Sequence, residues 1–81
     1  MIWDAIQAER ERQNAKWGDQ HHWLGQWMAI LGEEFGECCE QVLECDFGKE
    51  PPKHLPMLRT ELVHLAAVAV QIIEKIDKAN I

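Results

Sequence analysis

The chain predicts an all-α fold, and three observations carry that prediction. Apolar residues recur at three- and four-residue intervals through the middle and the C-terminal third, as one face of a helix requires. Strand signals are weak: tyrosine is absent, threonine is scarce, and no alternating run is bounded by turns. Breakers at Gly18 and between Asp46 and Pro56 divide the periodic sequence into three parts. The expected architecture is a single domain, 1–81, built as an antiparallel helical bundle. At 81 residues its core is modest, and domains of this size often rely on oligomerisation.

The first helix is expected from about Trp3 to Lys16. Ile2 or Trp3, Ile6 and Ala5 give it a thin apolar stripe, and the polar stretch "QAERERQNAK" follows. Gly18 can end this helix in a left-handed conformation, and Asp19 can start a turn.

The second helix is expected from about Trp23 to Cys45, with Leu24, Trp27, Met28, Leu31, Phe35, Cys38 and Val42 at helical spacing. Gly32 and Gly36 lie inside it, at about 1 kcal/mol each against alanine, and suggest close approach by a neighbouring backbone.

Gly48 and the pair Pro51-Pro52 then break the helix. The third helix is expected from Pro56 or Met57 to Lys78, with Lys75 and Lys78 complementing its dipole. Between Leu62 and Ile73 it is apolar on almost every side, which predicts burial all round. Three helices in one small chain cannot surround it, so a dimer or larger homo-oligomer is expected.

Composition narrows the function classes. A formal net charge of −6 leaves no basic patch for phosphates, which disfavours nucleic-acid and membrane-surface binding. The N-terminus lacks the apolar core of a signal peptide, and no uninterrupted apolar run reaches the ~18–20 residues of a membrane span. The three cysteines are odd in number and form no CxxC. They read as small apolar residues in a reducing compartment, and the expected location is cytoplasmic.

The chemistry concentrates in "ILGEEFGECCEQ". With the stripe through Leu24, Leu31, Phe35 and Val42 at zero, an ideal helix puts Glu34 at about −80° and Glu37 at about −140°. Both sit where the apolar face meets the polar one, whereas Glu33, Glu40 and Glu44 point to solvent. On the third helix, Glu61 and His64 form another i/i+3 pair on one flank. Facing carboxylate pairs repel unless a proton or cation lies between them, and hard divalent cations suit oxygen ligands. The alternative at this point is a solvated acidic face and a core histidine. Glu61 is the hardest to explain that way, since it borders the most apolar helix and Arg59 does not share its face.

"EEFGE" followed by "ELVH" after the 23 residues Cys38 to Thr60, with "KWGDQ" upstream, resembles the EExxE…ExxD signature of MazG-like all-α nucleotide pyrophosphohydrolases, especially small single-domain members of the kind phages carry. The resemblance extends from Ala8 to Ile76. It implies hydrolysis of nucleoside triphosphates to a monophosphate and pyrophosphate, Mg²⁺ as cofactor, and assembly as homodimers or tetramers. By position it implies Glu34, Glu37 and Glu61 as metal ligands and Glu33 as either a carboxylate just outside the ligands or the one that orients or deprotonates water. Lys16, Lys53 and Arg59 are candidate phosphate contacts, with Lys49 a weaker one; Trp17, Trp23 or Trp27 could stack on a base, with packing the better reading for Trp23 and Trp27.

His64 departs from that signature, which has aspartate there. Imidazole suits Mn²⁺, Fe, Ni²⁺ or Zn²⁺ better than Mg²⁺. Three readings stay open: a Mg²⁺ site on three glutamates with His64 beside it, a softer metal, or an inactive oligomer that binds a nucleotide or protein partner. A di-metal carboxylate protein is a further alternative, because Glu61-x-x-His64 has the ExxH form of such sites.

Overall fold

The computed structural model describes residues 1–48 and 51–79 and is all-helical over them, with no strand. Three helices follow in order: α1 (Ile2–Trp17), α2 (Leu24–Phe47) and α3 (Pro51–Asp77). Gly18 ends α1 with a positive φ of 69° but a ψ of −154°, so it adopts an extended glycine conformation rather than the left-handed helical cap expected, and its N–H donates to the Asn14 carbonyl at 2.8 Å. The Gln26 side-chain oxygen accepts the Trp23 N–H at 2.8 Å and so satisfies an open donor at the start of α2. At Gly48 the backbone is extended and its N–H donates to the Glu44 carbonyl at 2.9 Å, and an added Cβ would collide with that carbonyl oxygen.

Two expectations about helix limits are corrected. Helix α2 runs on to Phe47, and α3 begins at Pro51 rather than Pro56 or Met57. Pro51 and Pro52 lie in the first turn, where backbone N–H groups have no intrahelical acceptor to lose. Pro56 is therefore inside the helix.

Helix α3 is the centre of the fold. Both α1 and α2 pack on it, and among the described residues they do not pack on each other. Residue numbers rise along α2 as those of its contacts fall along α3, from Trp27 against Val68 and Ile72 to Gln41 against His54, so these helices run antiparallel. The core is small: Trp27, Val68 and Ile72, with Ile30 and Leu31 against them. Trp27 is 1% exposed, and burying a side chain of that class stabilises by roughly 1.5–3 kcal/mol. By length and composition, Lys53–Asp77 could also cross a membrane, a test that the core helix of a water-exposed domain passes equally.

The face of α2 that meets α3 differs from the one expected. Leu24, Met28 and Phe35 are more than half exposed, while Trp27 and Cys38 are buried. The inward direction is rotated by about 60° on an ideal wheel, towards the flank that carries Glu34. Phe35, Val42 and Leu43 then form, with Leu58, Leu62 and Leu65, an apolar groove of about 560 Å³. Nothing lies within 4 Å of where a Cβ would sit at Gly32 or Gly36, so the expected close backbone approach is absent among the described residues. The third helix is not buried all round within the chain: Leu62 and Ile73 are exposed while Ala67, Val68 and Ile72 are buried.

Helix α1 gives a second correction. Its apolar residues Ile2 and Trp3 are exposed, and its buried residues are Glu9, Arg10 and Gln13. They can be buried because they satisfy one another. Arg10 Nη1 donates to Gln13 Oε1 at 3.2 Å, Gln13 Nε2 to Glu9 Oε2 at 3.2 Å, and Arg10 Nε to Glu74 Oε1 of α3 at 3.1 Å.

Candidate metal centre

Three helices bring the site together in the groove between α1 and α2, above α3. Helix α2 supplies Glu34 and Glu37 one turn apart, and α3 supplies Glu61 and His64 one turn apart. One ligand atom from each of these four residues lies within 4.8 Å of the others. Bonds from a divalent cation to oxygen are about 2.0–2.6 Å, so ligands on opposite sides of one ion stand about 4–5 Å apart. The cluster has that size.

Its polar atoms are incompletely satisfied. Glu34 Oε2 and Glu61 Oε2 are buried and accept no hydrogen bond. Buried carboxylate oxygens without a donor are costly. His64 Nδ1 faces both, at 3.4 Å from Glu61 Oε2 and 4.0 Å from Glu34 Oε2. Three carboxylates with two bare oxygens, plus one imidazole nitrogen, fit a divalent cation in size and in donor chemistry.

Electrostatics agree with crowding of negative charge. Burial, then the neighbouring Glu37, raises the Glu34 pKa above the ordinary 4.5. Glu37 is also raised, first through the hydrogen bond that it shares with Glu61 when a proton lies between them, then by desolvation. Glu33 is exposed beside them, and its charge pushes both Glu34 and Glu37 up.

Two residues of this neighbourhood escaped sequence reasoning. Glu9, from the polar stretch of α1, is 8% exposed, and its Oε1 stands 3.6 Å from His64 Nε2. Arg12 grips Glu9 through both carboxylate oxygens, at 2.7 Å and 2.6 Å. That grip first, with His64 and Gln13 adding to it, holds the Glu9 pKa below 4.5 against the opposing effect of burial. The one legible signal was the i/i+3 spacing of Glu9 and Arg12, which reads equally well as a surface ion pair.

The other expected site residues are dispersed. Arg59 shares a cavity of about 250 Å³ with Glu9, Arg12, Thr60 and His64. Lys16 and Trp17 close α1, both exposed, with the Lys16 ammonium 4.6 Å from the Trp17 ring centroid. Lys53 is exposed and eight residues before Glu61, about 12 Å along the helix axis. Lys49 lies outside the described residues. A second polar cavity, of about 420 Å³, is lined by Arg10, Asn14, Asp19, Gln71, Glu74 and Lys75, and contains none of the expected residues. Lys75 is buried there and pairs with Asp19, a tertiary contact rather than a simple helix-end charge. Cys38 is buried, Cys39 exposed and Cys45 half-buried, all as free thiols. Comparison with protein-family models, with curated proteins and with solved structures gives no match to this chain.

Proposed function

We propose that the chain is a metal-dependent nucleoside triphosphate pyrophosphohydrolase, releasing a nucleoside monophosphate and pyrophosphate. The observation that carries the reading is the convergence of Glu34, Glu37, Glu61 and His64 within 4.8 Å. The four residues come from two helices and 31 positions of sequence; the three glutamates are the ligands that the pyrophosphohydrolase resemblance implies, and His64 stands where its signature has aspartate.

Glu34, Glu37, Glu61 and His64 would hold the ion. The chemistry a divalent cation supplies in such a donor set is neutralisation of phosphate charge and a lower pKa for bound water. Glu33, exposed and next to Glu34 in sequence, would be the carboxylate that orients or deprotonates the attacking water. Arg59, in the cavity beside His64, can donate to phosphate oxygens. Trp17 offers an exposed ring for a base, and Lys16 a cation near it. Self-association is part of the same reading, supported by the exposed groove around Phe35 and Leu62.

Incubation of the chain with a panel of nucleoside triphosphates and Mg²⁺ or Mn²⁺ tests this, with pyrophosphate release as the readout. Release that requires metal and is lost in Glu34→Gln is expected. No release from any nucleotide would sink the enzyme reading. It would favour the second reading, nucleotide binding without turnover, whose supporting observation is His64 in the place of an aspartate.

A further inference from the structure

We propose that Glu9 is a positioning residue for His64: it sets which imidazole nitrogen faces the metal ligands, and so builds a nitrogen donor into a centre that prefers a borderline divalent cation to Mg²⁺. This rests on the metal reading of the Glu34, Glu37, Glu61 and His64 cluster.

The two ring nitrogens of His64 have different neighbours. Nε2 faces Glu9 Oε1 at 3.6 Å, whereas Nδ1 faces Glu61 Oε2 at 3.4 Å and Glu34 Oε2 at 4.0 Å. The last two are the oxygens that accept no hydrogen bond. Glu9 is not free to move away. Arg12 binds both its oxygens, Gln13 adds a third hydrogen bond at 3.2 Å, and the residue is buried.

The Glu9 contact with Nε2 is longer than a hydrogen bond and acts by charge. In the empty centre Glu34 and Glu61 draw the proton towards Nδ1; once a cation occupies that side, the fixed Glu9 carboxylate favours the tautomer with its proton on Nε2. Nδ1 then keeps its lone pair and points it between Glu34 and Glu61. A carboxylate behind a histidine commonly fixes the ring in this way at metal sites, and losing it costs about 10–100-fold in metal affinity. Helix α1 thus enters the centre without donating a ligand. Imidazole nitrogen suits Fe²⁺, Ni²⁺, Cu²⁺ and Zn²⁺ rather than Mg²⁺; Mn²⁺, the first-row ion nearest Mg²⁺ in its preference for carboxylates, is the paramagnetic probe for a bound nitrogen.

The test uses the metal-free full chain, with Mn²⁺ and Mg²⁺ affinities from calorimetry and nitrogen coupling to bound Mn²⁺ from pulsed electron paramagnetic resonance. The native chain should bind Mn²⁺ more tightly than Mg²⁺ and show coupling to one ¹⁴N. Glu9→Leu should weaken Mn²⁺ binding about 10–100-fold, with a smaller loss for Mg²⁺. Glu9→Gln, which keeps an oxygen facing Nε2, should restore most of it. In a His64→Ala background, the coupling should vanish and Glu9→Leu should have no further effect.

Should Glu9→Leu lose its helical circular dichroism, Glu9→Leu/Arg12→Leu removes both charges together and carries the same comparison. Bound Mn²⁺ without nitrogen coupling overturns this inference alone. So does an equal effect of Glu9→Leu with and without His64. If neither ion binds, or if Glu34→Gln/Glu61→Gln binds as the native chain does, this inference and the metal reading fall together.

Discussion

Nδ1 of His64 lies 3.4 Å from Oε2 of Glu61, one turn earlier on the same helix, and that oxygen is buried without a hydrogen-bond donor. The relationship joins an aromatic base and an unsatisfied acid on the part of α3 that faces Glu34 of α2 and Glu9 of α1. The chemistry expected of the chain follows from what fills the gap between them.

A divalent cation should stabilise the chain, and acid should cancel the effect. Glu34 and Glu37 have raised pKa values, so in the metal-free chain their protonated forms favour folding. That contribution is fully present below 4.5 and is lost as pH rises through the raised values. A cation requires the deprotonated forms, so its stabilisation grows in the opposite direction. At 100 times its dissociation constant it is worth about 2.7 kcal/mol. For a domain of this size that is a rise in Tm of about 10–20 °C. Thermal melts with and without Mn²⁺ should show the rise at pH 7 and much less at pH 4.5. A Tm indifferent to metal at both would contradict the site.

Glu9 shifts the other way, and its sign can be read separately. Its pKa is held down by Arg12, so its contribution is present above 4.5 and disappears as pH falls through the lowered value. In the metal-free chain, the acid limb of the stability curve should therefore be shallower in Glu9→Gln than in the native protein. Urea melts between pH 2.5 and 5 make the comparison, and identical limbs would remove Glu9 from this role.

Replacement of His64 by aspartate should change which metal works. Three carboxylates and an imidazole become four carboxylates, a harder donor set. Pyrophosphate release with Mg²⁺ relative to Mn²⁺ should rise in His64→Asp. An unchanged ratio would mean that His64 does not touch the ion.

Trp27→Ala should cost about 3–5 kcal/mol, because the ring fills the core against Val68 and Ile72. In a domain with so few buried apolar residues, that is a large fraction of the total stability. Urea denaturation checks it, and a loss under 1 kcal/mol would place Trp27 outside the core.

The apolar groove supplies the test of self-association. Phe35 is 60% exposed and Leu62 48% exposed on its two walls. A glutamate at either position would bury an unpaired charge in any interface formed there. Phe35→Glu and Leu62→Glu should each reduce the mass measured by light scattering to that of one chain. A native protein that is itself a single chain would overturn the association reading.

The sequence by itself determined the number of helices, the breaks near Gly18 and Gly48, and the two pairs Glu34/Glu37 and Glu61/His64. Those features are local: they follow from the helical period and from residues that resist it. It did not reveal that Pro51 starts α3, since a proline pair reads as a break until its place in a first turn is known. It also misdirected α2, whose longest apolar stripe includes Phe35 and Val42 while Trp27, Glu34 and Cys38 face α3. Only the tertiary structure decided that Glu9, Arg10 and Gln13 are inside. Their polarity marks them for solvent in any local reading. Burial becomes affordable through groups far away in sequence: Glu74 lies 64 residues from Arg10, and His64 meets Glu9 from another helix. A helix's period is written in its own residues, but which polar face turns inward depends on the partners that folding brings to it.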